Sequence, residues 1–249
     1  MAAKSFREKI KSLPVVSSLM NNFRKAGKKK RMQKFYGQFI HPGDLCFDVG
    51  ANVGDWSDVF LFLGAKVIGV EPQSSFFDAL QKRFRENSSV EIVRVGVGSK
   101  EEERELKVSV IQGNSTFSDE FIESYKHFEY ASWPTTEKVR MTTLDHLIQQ
   151  FGRPKFCKID AEGYELEILK GLSMPIRFIQ FEYVPPFRKQ TIESIDILSK
   201  LGEARFNYSW YEEMKLQLTE NVNAEEMKWL VRSFPEEFLV GDILAEFVG

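Results

Sequence analysis

The sequence predicts a Rossmann-like α/β domain, a mainly parallel sheet with helices on both faces, and three observations carry that prediction. The apolar run Asp44-Leu45-Cys46-Phe47 passes into the glycine loop Asp48-Val49-Gly50-Ala51-Asn52-Val53-Gly54 and then into a helically spaced stretch from Trp56 that stops at Gly64. A second apolar strand, Lys66-Val67-Ile68-Gly69-Val70, follows at once and ends on Glu71-Pro72. Further along, the run Phe156-Cys157-Lys158-Ile159 ends on Asp160 and is again followed by a helix pattern. Strands alternating with helices in this way build βαβ units.

The first unit also speaks to chemistry. Glycines let backbone amides approach a ligand closely. An acid at the end of the second strand, about twenty residues after such a loop, is where nucleoside-binding folds hold ribose hydroxyls. A dinucleotide loop wants three glycines so that a pyrophosphate can sit on the helix N-terminus, whereas this loop has two and carries Asp48 and Asn52. That acid would repel pyrophosphate and would suit the cationic end and sulfonium of S-adenosylmethionine.

Length and composition set the frame. The 249 residues have room for one α/β domain with extensions. A net charge of −2 argues for no particular partner, and no nucleic-acid surface is expected from it. No apolar run approaches the roughly 20 residues of a membrane span and no signal-peptide core is present, so a cytoplasmic protein is expected. Cys46 and Cys157 each fall in a predicted core strand, where reduced, inert thiols are the expectation.

Residues 1–35 depart from this balance, because eleven lysines and arginines between Lys4 and Lys34 stand against one acid, Glu8. Phe6, Ile10, Leu13, Val16, Leu19, Met20 and Phe23 are interspersed at near-helical spacing. Two readings stay open: a basic amphipathic helix that meets an anionic membrane surface or a lipid-linked, phosphate-bearing substrate, and a solvated extension packed on the domain. The catalytic domain proper is expected over 36–249.

The remaining elements follow in order. A short helix over 33–40 leads into the turn His41-Pro42-Gly43. Ser74–Phe84, with serines at its start, reads as a capped helix. Val90–Val95 is a third strand closed by Gly96-Val97-Gly98, and in this architecture the loop there borders an adenine, which makes Val97 an apolar wall. Leu106–Val110 alternates like an edge strand. Residues 111–138 are too long for an ordinary connection and too aromatic for disorder, hence a lid-like insertion over the substrate, with His127 as a candidate base or a structural residue. Thr143–Ile148 starts a helix, and His146 in it is assigned no chemistry.

Asp160 is expected beside the glycine loop, at the switch point where ligands bind, and Glu182 ends the next strand, Ile176–Tyr183, so that the two acids share one crevice or cap the helices that follow. Arg205–Trp210, Lys215–Leu218 and Asp242–Phe247 supply the last sheet segments, with the reversed strand among them unassigned. Asn223–Glu226 opens a helix through Arg232.

With these residues in view, the chain resembles the FkbM family of methyltransferases. The resemblance rests on Asp48-Val49-Gly50-Ala51-Asn52-Val53-Gly54, Val70-Glu71-Pro72, Thr143-Leu144-Asp145, and Lys158-Ile159-Asp160-Ala161-Glu162-Gly163-Tyr164-Glu165 with Leu169-Lys170-Gly171. It covers about Phe35 to Glu182 and more weakly Gly241–Leu244, leaving the basic N-terminus outside. It implies a class I methyltransferase sheet of seven strands with the last one antiparallel, and S-adenosylmethionine-dependent transfer to a hydroxyl, often on a sugar or polyketide. Carried over, Asp48, Gly50, Asn52, Gly54, Glu71, Pro72, Val97 and Asp160 would hold the cofactor. Asp160 is the first choice of base, with Glu182 and Glu162 behind it. A Mg²⁺ ion on Asp160 and Glu182 is the alternative way to activate the hydroxyl.

Tyr130, Trp133, Tyr208, Trp210 and Tyr211 would suit stacking on sugar faces or ordinary packing. Two rival functions remain: a catalytically silent binding or scaffold protein on the same fold, and a nicotinamide-dependent oxidoreductase using Tyr211-Glu212-Glu213-Met214-Lys215.

Overall fold

The computed structural model describes residues 27–129, 131–210, 213–235 and 240–248. Its centre is a seven-stranded sheet whose members are β1 (Leu45–Val49), β2 (Lys66–Val70), β3 (Val90–Val93), β7 (Phe156–Ile159), β8 (Phe178–Tyr183), β9 (Ala204–Trp210) and β10 (Gly241–Phe247), in the order β3-β2-β1-β7-β8-β10-β9. The reversed strand is β10, which runs antiparallel to β8 on one side and β9 on the other. β1, β2, β3, β7 and β8 pair in parallel, and their apolar runs are covered on both faces as parallel strands require. This is the Rossmann-like sheet that the resemblance implied.

A second sheet of three strands, β4 (Gly96–Val97), β6 (Thr135–Thr142) and β5 (Glu102–Val108), stands beside it in the order β4-β6-β5. It corrects two expectations. The third strand is shorter than predicted because Gly96 and Val97 leave it to pair with Met141 and Thr142. The edge strand lies earlier than predicted because Glu103 and Glu105 face Arg140 and Lys138 across the β5–β6 ladder, where opposite charges stabilise the pairing.

On one face, residues 27–36 form a helix that buries Met32, Phe35 and Tyr36 while exposing Lys29, Lys30, Arg31 and Lys34. Tyr36 meets Phe60 and Phe156 edge to face at 5.2 and 5.6 Å, pairs worth about 0.5–1.5 kcal/mol each beyond their burial. The expectations that rest on Lys4 through Lys25 lie outside the described residues. The opposite face carries the larger core, where helices Leu144–Phe151, Glu165–Lys170, Arg188–Leu201 and Ala224–Ser233 pack on the sheet. The helix Ser74–Phe84 is held differently from expectation. Its serines do not cap it; instead Glu137 reaches across from β6 and accepts from the Ser74 amide and hydroxyl, both at 2.9 Å. Cys46 and Cys157 are free and buried, and burial pushes both thiols up. Among the described residues no helix is long and apolar enough to cross a membrane.

Candidate active site

A cleft of about 430 Å³ opens over the carboxyl ends of β1, β2 and β7. Of the ten sequence-predicted residues, Gly50, Asn52, Glu71, Pro72, Val97, Asp160 and Glu162 line it, whereas Asp48, Gly54 and Glu182 sit behind or below its wall. Trp56, Phe76, Phe117 and Tyr164 supply its aromatic surface.

The β1–β2 side is held by backbone amides. Glu71 is nearly sealed from solvent; its Oε2 accepts from the Asn52 amide at 2.8 Å and its Oε1 from the Gln73 amide at 2.9 Å. Each oxygen keeps a second lone pair for a ligand hydroxyl. Burial pushes the carboxyl up to about 7 against those two hydrogen bonds. Asn52 stands in the left-handed region at φ 49, and its Oδ1 is buried with no hydrogen-bond partner. Asp48 is fully buried beneath the loop, where its Oδ2 accepts from the Ser57 hydroxyl at 2.5 Å; burial raises it to about 6. Its place is to brace the loop against the helix Asp55–Phe62 from below.

The two loop glycines serve packing. A Cβ on Gly50 would stand 1.8 Å from the Asp160 carbonyl oxygen, so the first loop and the turn after β7 touch backbone to backbone. One on Gly54 would stand 2.7 Å from the Phe84 ring. Both adopt positive φ, 83 and 85, which glycine enters without strain.

The β7–β8 side is built from acids. Oxygens of Asp160, Glu162 and Glu182 lie within 4.8 Å of one another. Glu162 is a non-glycine residue at φ 51, and Glu182 Oε2 is a buried atom without a hydrogen-bond partner. Burial, then the neighbouring Asp160, pushes both glutamates well above the usual carboxylate range. Glu165 completes the group from the first turn of its helix, accepting from the Ala161 amide at 2.8 Å, and burial raises it to about 7.

Beneath them is a residue that motif reading passed over. Lys158 is 1% exposed and its Nζ donates to Asp160 Oδ2 at 3.0 Å, with Asp242 Oδ1 at 3.2 Å. The signal was available, since a lysine in an otherwise apolar buried strand requires a partner, and period two puts it on the same face as Asp160.

The segment 109–118 closes over the cleft. The Ser115 hydroxyl donates to Gln73 Oε1 and the Thr116 hydroxyl to the Glu162 carbonyl, each at 2.8 Å, and Gln112 through Ser115 line the opening. The predicted sugar-stacking aromatics lie elsewhere. Trp133 packs on Phe121 and donates to the Asn114 carbonyl; Tyr208 and Trp210 pack on Phe234 in the core; Tyr130 and Tyr211 fall outside the described residues. His127 is exposed beyond the helix Asp119–Tyr125 and away from the cleft, and His146 faces Glu101 on the surface.

Comparison with known proteins places this geometry. The methyltransferase FkbM domain matches residues 48–208, more than half of the chain. The hexuronic acid methyltransferase AglP of Haloferax volcanii is 25% identical over 167 residues, which cover 66% of this chain and 64% of that relative's length. The match thus spans less than two thirds of the relative. Among solved structures, a TehB-like SAM-dependent methyltransferase from Corynebacterium glutamicum aligns at 8% identity and a TM-score of 0.45, covering 88% of each chain. A SAM-dependent O-methyltransferase from Thermotoga maritima aligns at 14% and 0.41, covering 87% of this chain and 64% of its own.

Proposed function

The chain belongs to the FkbM methyltransferase family, and on that premise we propose that it moves a methyl group from S-adenosylmethionine to a hydroxyl of a sugar or glycan. The observation that carries this reading is the junction of the two halves of the cleft. Glu71 and the Asn52 loop offer a ribose site, and Asp160 lines the cleft directly beside that loop. The residues present fit the cofactor: Asn52 Oδ1 is an unpartnered acceptor, Glu71 has lone pairs for a diol, and Val97 offers an apolar wall. Bound there, the cofactor supplies a methyl activated by its sulfonium.

The protein's part is alignment and proton removal. Val97, Phe117 and Tyr164 exclude water from the cleft, where charge is dispersed as the new bond forms. Asp160 would take the proton from the acceptor hydroxyl, freeing that oxygen for the methyl that bound S-adenosylmethionine would supply, with the methyl–sulfur electron pair left on sulfur. A positioned base of this kind supplies roughly 10²–10⁴-fold. Within the predicted insertion 111–138, Gln112 through Ser115 line the opening and would set acceptor choice, whereas Thr135–Lys138 belong to β6. A second way to activate the hydroxyl would be Mg²⁺ on Asp160 and Glu182, with Glu162 as the third oxygen within reach; removal of divalent ions by a chelator abolishes transfer under that reading and leaves it intact under ours. The hexuronic acid named for the relative supports a sugar acceptor. If that acceptor is lipid-linked, the basic stretch between Lys4 and Lys34 meets the membrane surface that carries it, from the cytoplasmic side.

Calorimetry tests the cofactor assignment. S-adenosylhomocysteine binds the wild type and loses affinity in Glu71→Ala, and NADH does not bind. No binding of the homocysteine product would return the chain to a scaffold role, and preference for NADH would make it an oxidoreductase.

A further inference from the structure

β7 carries Lys158 between Asp48 on β1 and Gln180 on β8, so three polar side chains stand in a row on one face of the sheet. Tyr36, from the helix over 27–36, lies beside all three, and the Trp56 ring stands 5.7 Å from Nζ. Burying an ammonium costs several kcal/mol per ion, and a buried ion pair is weak evidence for stability, so the arrangement calls for another reason. Its asymmetry supplies one. Of the two carboxylates on Lys158, Asp242 is sealed, with a side-chain exposure of 4%, whereas Asp160 is 23% exposed and lines the cleft.

We propose that Lys158 is the positioning residue of the site: pinned from below by Asp242, its ammonium holds Asp160 by Oδ2 and leaves Oδ1 presented to the acceptor hydroxyl. This rests on the reading of Asp160 as the base. Two carboxylate oxygens, Asp160 Oδ2 at 3.0 Å and Asp242 Oδ1 at 3.2 Å, answer the buried ammonium, one from the end of β7 and one from β10. The acids around it would otherwise drive Asp160 aside, since Glu162 and Glu182 crowd it from the turn after β7 and from β8. The Ile159 carbonyl, 3.5 Å from Nζ, fixes the third direction of the ammonium. A misplaced base loses rate steeply, about 10²-fold for an ångström.

The test uses the full chain with S-adenosylhomocysteine as probe and methyl glucoside and methyl glucuronoside as acceptors. Lys158→Met is expected to keep S-adenosylhomocysteine binding, to swing the Asp160 carboxylate in a crystal structure of the complex, and to lower kcat about 10²-fold with KM for S-adenosylmethionine unchanged. The double variant Lys158→Met/Asp160→Asn is expected to be no slower than Asp160→Asn, because Lys158 acts through Asp160. Lys158→Arg, which restores a cation, recovers part of the rate. Should Lys158→Met fail to fold, Asp242→Asn removes the lower anchor, and the Asp160 carboxylate is read in its complex instead. An unmoved Asp160, or losses that multiply in the double variant, overturns the proposal. Absence of S-adenosylhomocysteine binding in the wild type overturns the methyltransferase reading beneath it, which is a separate result.

Discussion

On the β1–β2 side of the cleft both oxygens of Glu71 accept from backbone amides, while on the β7–β8 side three carboxyls crowd within 4.8 Å and Glu182 Oε2 has no partner. Both sides bury acids, and burial raises carboxyls on each. What differs is how the charge is answered. Main-chain donors cost nothing to retain, so the Glu71 side is organised before any ligand arrives. The opposite side has one buried ammonium, on Asp160 and Asp242, and burial drives the neighbouring Glu162 and Glu182 to hold their protons. On the proposed reading, the contrast would separate a preformed nucleoside seat from the edge that carries the base.

Asp160→Asn would break the comparison most deeply. Transfer is expected to fall roughly 10²–10⁴-fold in a labelled-methyl assay while S-adenosylhomocysteine still binds; parallel losses in both would show that the two sides are one functional unit. Next comes Gly50→Ala, which sets a Cβ 1.8 Å from the Asp160 carbonyl and so forces the two sides apart. It is expected to cost on the order of 3 kcal/mol or more in urea denaturation. Gly43→Ala, also at positive φ but with nothing within 4 Å of the new Cβ, is the control at about 1–2 kcal/mol.

Glu71→Gln sharpens the comparison on the seat itself. Because the folded carboxyl lies at about 7 against an ordinary 4.5, the folded state holds its proton more tightly than the unfolded chain. That stability is fully present below the unfolded value and is lost as pH rises through 7. The gap amounts to at most on the order of 3 kcal/mol. Chemical denaturation at pH 5 and pH 8 should show a fall in the wild type that is smaller in Glu71→Gln, while calorimetry shows cofactor affinity lowered about 10- to 100-fold at pH 8.

The smallest effect is expected beside Asp160, where Glu182→Gln fixes as neutral a carboxyl that burial already drives to hold its proton, and gives Asp160 or Glu162 an amide donor. A gain of about 1 kcal/mol, or roughly 2–4 °C in Tm, follows; a loss would mean that the site is arranged around an ionised Glu182.

Legibility in the sequence divides along the same line. β2 is found at the residues that its apolar run marked, and Glu71 stands where the spacing after the glycine loop put it, because strand length and turn chemistry are local properties. Asp160 beside the first loop was legible from topology. The capping of Ser74 by Glu137, 63 residues away, was not, and neither was the hold of Lys158 on Asp242, which depends on a last strand slipping between β8 and β9. Such contacts are set by register between distant segments, and no local pattern encodes them. Tyr208 and Trp210 misled for a related reason: an aromatic with a polar tip looks the same in a sequence whether it faces a sugar or Phe234.

The contact of Gly50 with the Asp160 carbonyl has one more consequence. If the two sides serve as donor seat and acceptor edge, they are joined main chain to main chain with no side chain interposed, so the span between them would be an attribute of the scaffold and not of the segment above the cleft.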